Sequence, residues 1–131
     1  MDVVKFFLDI SYGDYSSKNA SNLRMTILGD FLSSDVGCGL SSRMKPTWQD
    51  WVLDDSLGTE VGSNLTFLEK DNEDILLSDL FSDEEPPTQL KMTRDQLVKL
   101  LNDWQEIVCK LKPKEVILKY ENDQYVFETK D

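Results

Sequence analysis

The chain has 131 residues, 40% of them hydrophobic and 10% aromatic. That suits a single domain over 1–131 with its own core and leaves disorder a poor account. Its net charge of −11 lies wholly between Asp50 and Glu85, where twelve carboxylates face Lys70 alone; the other residues hold thirteen acids and thirteen bases. This imbalance argues against nucleic acid and anionic membranes as partners, since phosphate binding needs Lys and Arg, and it favours a cationic partner.

The opening "MDVVKFFLDISYGD" has an acid at position 2 and an apolar run broken by Lys5 and Asp9. It suits neither a signal peptide nor a membrane span, which makes the cytoplasm the default compartment. Val4, Phe6, Leu8 and Ile10 alternate with polar positions, which predicts a strand over residues 3–10. "YGDYSSKNASN" reads as a polar loop. Leu23, Met25, Ile27 and Phe31 share a parity that predicts a second strand, with Gly29 as a bulge. "SSDVGCGLSSRMKP" is turn-rich and ends at Pro46. Cys38 and Cys109 lie far apart without metal-type spacing, and in a cytosolic chain they are expected as free buried thiols.

In "TWQDWVLDDSLG", Thr47 and Asp50 can start a short helix that Gly58 stops, or Trp48, Trp51 and Val52 can sit on an irregular segment. Leu65 to Lys70 and Ile75 to Phe81 read as two strands joined by "DNED", and "SDEEPP" as a connection. Gln89 to Met92 adds a short strand. Thr93 and Gln96 form a capping box for a long helix over about 94–112. Its stripe is Leu97, Leu100, Leu101, Trp104, Val108 and Leu111, with Lys110 and Lys112 before Pro113. Glu115 to Glu121 and Gln124 to Thr129 form a hairpin around Asn122-Asp123, which sets Tyr120 opposite Tyr125 and Leu118 opposite Phe127. The expected fold is α+β: an antiparallel or mixed sheet, one long helix packed on it and a C-terminal hairpin.

The absence of histidine removes histidine-based triads, zincin sites and Cys-His nucleophile pairs. No phosphate loop, nucleophile elbow or C-x-x-C motif is present, so no cofactor is expected. "DNEDILLSD" lacks the glycine and terminal Glu spacing of a calcium loop. A small carboxylate-based hydrolase stays open, because two acids with separated pKa values can cleave glycosides. The reading favoured by segregated charge and nearby rings is an interface, in which rings anchor and carboxylates orient and accelerate encounter. The candidate contact residues are Asp71, Glu73, Asp74, Asp79, Asp83, Glu84 and Glu85, with Trp48, Trp51, Asp54 and Asp55 as a second region.

The strand pair "LTFLEKDNEDILLSDLFSDE", the helix "MTRDQLVKLLNDWQEI" and the closing "KPKEVILKYENDQYVFE" resemble those of bacterial immunity proteins. These neutralise polymorphic toxins, including toxins of contact-dependent growth inhibition. The resemblance covers residues 64–131 in pattern and 1–63 only loosely. It implies a non-enzymatic role: binding one cognate toxin domain, commonly a basic nuclease, in the cytoplasm of the producing cell. The family shares no catalytic signature, so it assigns no residue roles. The alternative of the same broad class is a nucleic-acid mimic that inhibits a DNA-binding enzyme.

Overall fold

The computed structural model of the chain describes residues 1–39 and 46–131. The turn-rich reading of 33–46 therefore lies partly outside the described residues. Among the described residues eight strands form two four-stranded antiparallel sheets. The first sheet has the order β2-β1-β7-β8, with β1 Asp2–Asp9, β2 Asp14–Lys18, β7 Glu115–Glu121 and β8 Gln124–Lys130. The second has the order β3-β4-β5-β6, with β3 Glu60–Gly62, β4 Thr66–Asp71, β5 Asp74–Asp79 and β6 Gln89–Thr93.

The helices are α1 Leu23–Asp30, α2 Trp48–Leu53 and α3 Arg94–Asp103. The first and last run on into π turns, Phe31–Val36 and Trp104–Cys109, giving continuous helices of 14 and 16 residues. The α+β class stands, whereas the expected single long helix on one sheet gives way to two helices that both touch both sheets. Helix α1 meets β1, β2, β5 and β6, and α3 meets β5, β6 and β8. One apolar cluster joins all these elements, from Val4 and Phe6 through Leu28, Phe31 and Leu77 to Trp104, Val116 and Leu118.

Residues 23–31 are a helix and not the expected strand, and Gly29 is no bulge. The parity of Leu23, Met25, Ile27 and Phe31 masked a second pattern: Met25, Leu28, Leu32 and Val36, spaced three or four apart, are all buried, while Leu23 is exposed. The Asn22 side chain starts the helix by accepting from the Met25 amide at 3.0 Å. Gly29 then lets the helix lie close to the first sheet, because an added Cβ would fall 2.9 Å from both Ser17 Cβ and Val4 Cγ2. Alanine gains about 1 kcal/mol of helix propensity there. Overpacking costs roughly 1–3 kcal/mol. Gly29→Ala is therefore expected to lower the urea midpoint, and an unchanged or raised midpoint would show that the contact yields freely.

The "YGDYSSKNASN" stretch contains β2, an edge strand hidden by its polarity: only Tyr15 is buried, and its hydroxyl donates to the Pro113 carbonyl at 2.5 Å. The first strand ends at Asp9, leaving Ile10 exposed in the following turn. Thr47 and Asp50 do form a capping box, so the short helix over 48–53 is present. The Thr93–Gln96 capping box and the register of Tyr120 with Tyr125 and Leu118 with Phe127 are also as the sequence implies. Asn122 and Asp123 both take positive φ at that turn. The last helix stops at Cys109, where Lys112 takes positive φ, and Leu111 is exposed instead of completing the apolar stripe.

The cysteines are not free thiols. Cys38 and Cys109 are joined in a disulfide with their Cα atoms 5.2 Å apart, so the bridge ties the C-terminal ends of the two long helices together. Gly37, beside Cys38, accepts at its carbonyl from the Trp104 indole at 3.0 Å. Beneath this clasp Trp104 is fully buried, edge-on to Phe6 at 5.0 Å and Tyr15 at 5.9 Å. No helix among the described residues is long and apolar enough to cross a membrane.

Candidate functional site

The β4–β5 hairpin organises the acidic span. Leu68, Ile75 and Leu77 point into the core, so Glu69, Asp71 and Leu76 take the opposite face by strand alternation. Lys70 belongs to the inward set: its side chain is 2% exposed, and its ammonium sits 4.4 Å over the Trp51 ring. It also reaches the Asp55 carboxylate at 3.4 Å and the Asp54 carbonyl at 3.1 Å. The lone base of the span is thus an internal tie and leaves the outer surface acidic.

Arg94, the first residue of α3, makes a parallel tie. Its guanidinium meets Asp55 at 2.9 Å, the Val52 carbonyl at 3.0 Å and, through Nε, the Asn72 carbonyl at 2.9 Å. These bonds bring the "DD" of residues 54–55 against the hairpin turn that carries Glu73. A polar cleft of about 340 Å³ lined by Asp55, Thr59, Lys70, Asn72, Glu73 and Arg94 lies between them. The Arg94 hydrogen bond, with Lys70 beyond it, holds the Asp55 carboxyl below the usual carboxylate range. Hydrogen bonds from the Ser56 hydroxyl and amide do the same for Asp54. Asp55 is therefore largely engaged within the chain, although expected as a contact.

The remaining candidates fall at two ends of the hairpin. Asp71 and Asp74 face each other beside the turn, with Asp74 also 3.4 Å from Lys91, and Glu73 is exposed at the turn itself. Asp79 lies at the far end of the six-residue strands, about 17–20 Å away. Asp83, Glu84 and Glu85 follow it, all exposed. Phe81, the ring most exposed in this span at 69%, stands among them, and its amide donates to Asp79 at 2.9 Å. Asp79 also acts on Asp30 of α1: burial raises the Asp30 carboxyl, the Ser17 hydroxyl lowers it, and the negative charge of Asp79 raises it further.

That raised value has a signed consequence. A carboxyl raised on folding contributes stability that is complete below the ordinary carboxylate pKa and is lost as pH rises through the folded one. Asp30→Asn should accordingly gain stability relative to the parent chain between pH 4 and pH 7, read as the difference between their melting temperatures. A difference that stays constant across that range would contradict the assignment.

What joins the two acidic ends is a pair that sequence reasoning missed. Glu60 of β3 lies directly opposite Glu69 of β4. The Lys70 amide donates to Thr59 and the Ser63 amide to Thr66, which makes the Glu60–Glu69 pair one of the non-hydrogen-bonded positions where side chains come closest. Like charges directly opposite are unfavourable in a sheet. The signal was absent from the sequence because a three-residue strand with one apolar side chain has no legible period.

The Trp residues occupy a different place from the one expected. Trp51 is 7% exposed and packed under Lys70, so it is a core residue and not a contact. Trp48 is half-buried, edge-on to Phe31 at 5.1 Å and to Trp51 at 6.3 Å. Both rings line a cavity of about 360 Å³ whose other walls include Thr47, Val61, Ser63 and Asp35. Asp35 is 6% exposed, and burial raises its carboxyl while hydrogen bonds from the Leu65 and Thr66 amides and from the Thr66 and Ser63 side chains lower it. It is the sole carboxylate among the cavity's described lining residues, so the cavity does not present the acid pair that glycoside hydrolysis uses. Burial pushes the Tyr15 and Tyr125 phenols up to about 12, which keeps both protonated near neutral pH. Among the described residues no three His, Cys, Asp or Glu side chains converge as a metal site would require. Comparison with protein-family models, with curated proteins and with solved structures finds no match.

Proposed function

We propose that this chain is a non-enzymatic immunity protein that binds a cognate basic toxin domain, of nuclease type, through the outer face and ends of its second sheet. The observation that carries the reading is the disposition of charge: Lys70 is turned inward onto Trp51 while Glu60, Asp71, Glu73, Asp79, Asp83, Glu84 and Glu85 are exposed. A nuclease cleft built to hold phosphates presents Arg and Lys, and carboxylates held on strands can take charge-assisted hydrogen bonds from them. The Glu60–Glu69 pair fits the same reading, because the repulsion tolerated in the free protein is relieved when a cation arrives. Exposed Phe81, with Leu80 beside it, supplies the apolar anchor that the buried Trp51 does not.

The encounter is placed in the cytoplasm of the producing cell, where thiols are kept reduced. There the fold has to persist without the Cys38–Cys109 bridge. Co-expression with the open reading frame immediately upstream tests the role: rescue of growth from a toxic product is expected, and continued toxicity with soluble protein present would overturn it.

A further inference from the structure

We propose that two copies of this chain associate edge to edge through β8 and so join their first sheets into one continuous sheet. The inference goes beyond the immunity reading and does not depend on it. Among the described sheet edges, β3 has only three residues, β6 gives its Gln89 carbonyl to the Arg24 side chain at 3.2 Å, and β2 lies against α1. The edge strand β8 runs for seven residues without proline and pairs with β7 without a bulge. The two-residue turn at Asn122-Asp123 makes Glu121 and Gln124 a hydrogen-bonded pair, so Tyr125, Phe127 and Thr129 aim their amides and carbonyls away from β7. The Leu8 amide of β1 donates to the Lys114 carbonyl, which fixes the same phase from the other side of β7. Among the described residues no hydrogen bond reaches that outward row. Such an open row is a template for another strand.

The chemistry of the strand favours a second copy as the occupant. With a two-fold axis at Phe127, that residue lies opposite its own counterpart and Tyr125 lies opposite Thr129, and each pair can exchange two backbone hydrogen bonds. This register uses the whole strand. It sets Gln124 opposite Lys130 and Val126 opposite Glu128, so no like charges meet, whereas a slip of two residues one way opposes Glu128 to itself. Charges on an edge normally discourage pairing. Here the Glu128 carboxylate is drawn back over β7 onto Lys119 at 2.7 Å, which leaves Lys130 at the strand's end as the one charge unpaired within the chain. Exposed Val126 and half-buried Phe127 gain apolar cover from the second copy. The strand also lies outside the span that carries the net charge. At longer range the −11 of each copy opposes association, so added salt should favour the dimer, the reverse of its effect on contact with a basic partner.

Sedimentation equilibrium of the full chain tests this from about micromolar to about millimolar concentration, at low salt and at several hundred millimolar. The mass should rise from one copy to two and no further, and more readily in high salt. Amide hydrogen exchange read by NMR supplies the location: Tyr125, Phe127 and Thr129 should exchange freely in dilute protein and become protected in the dimer. Thr129→Pro removes an outward amide without removing a bond within the chain, and Val126→Glu sets like charges opposite each other. Each should weaken the dimer at least about tenfold. If the proline variant does not fold, the exposed Val126→Glu decides. A single-copy mass at every concentration, association weakened by salt, a dimer with those amides unprotected, or a folded variant that associates as the parent does would overturn the proposal. Protection that appears only on adding the basic product of the upstream reading frame would also overturn it and give the edge to a partner's strand. Because no toxin enters the mass measurement, its result and that of the co-expression test stand apart.

Discussion

Trp104→Ala is expected to lower the unfolding free energy by about 3–5 kcal/mol, the range for deleting a large buried aromatic side chain. Trp104 is wholly inaccessible and stands where the last helix meets the first sheet, with Phe6 at 5.0 Å, Tyr15 at 5.9 Å and Phe127 at 6.1 Å around its ring. Truncation opens a cavity among side chains held on three strands of the first sheet, which cannot collapse freely. It also removes the indole donor from the Gly37 carbonyl. A domain of this size has roughly 5–15 kcal/mol in total, so the variant loses a large share of its stability. Urea denaturation should show a much lower midpoint at an unchanged slope. A loss below about 1 kcal/mol would mean that Trp104 is not the keystone its burial indicates.

The second large effect is that of the disulfide. Cys38 and Cys109 are separated by 71 residues, and closing a loop of that length in the unfolded chain contributes roughly 4 kcal/mol by the chain-entropy argument. Reduction, or Cys38→Ser with Cys109→Ser, should lower the melting temperature by on the order of 10 °C. The oxidised protein should show no free thiol by thiol titration. Melting curves that coincide with and without reductant would contradict this contribution. If the protein acts in a reducing cytoplasm, the stability that matters there is the lower one, and the Trp104 cluster carries it.

Where local signals were strong, the sequence and the structure agree. The capping boxes at Thr47–Asp50 and Thr93–Gln96, the Asn122-Asp123 turn and the strands of the acidic hairpin were all legible, because each is fixed by residues close in the chain. The failures share a cause. Residues 23–31 carried two overlapping apolar periods, and the helical one is realised by the Asn22 cap and by burial of Met25, Leu28 and Leu32 with Gly29 close to Val4 and Ser17. The strands β2 and β3 hold one partly or fully buried apolar side chain each, too few to show alternation, and so the Glu60–Glu69 pair could not be foreseen. The disulfide joins residues whose proximity depends on the packing of two helices.

For the candidate site, composition gave the acidic span but not its arrangement. Asp55 stays exposed but is paired with Arg94 and Lys70, and Trp51 lies beneath the inward-turned Lys70. These pairings join residues distant in the chain, which only tertiary structure reveals.

The measurement that tests the central claim most directly is the association rate of this protein with the basic product of the upstream reading frame, followed across ionic strength. Steering by the acidic face predicts a fall of at least about tenfold between low salt and several hundred millimolar. It also predicts a shallower dependence for the Glu60→Gln, Glu69→Gln double variant. A rate indifferent to salt, or identical dependence in the double variant, would contradict the second sheet as the surface that meets the partner.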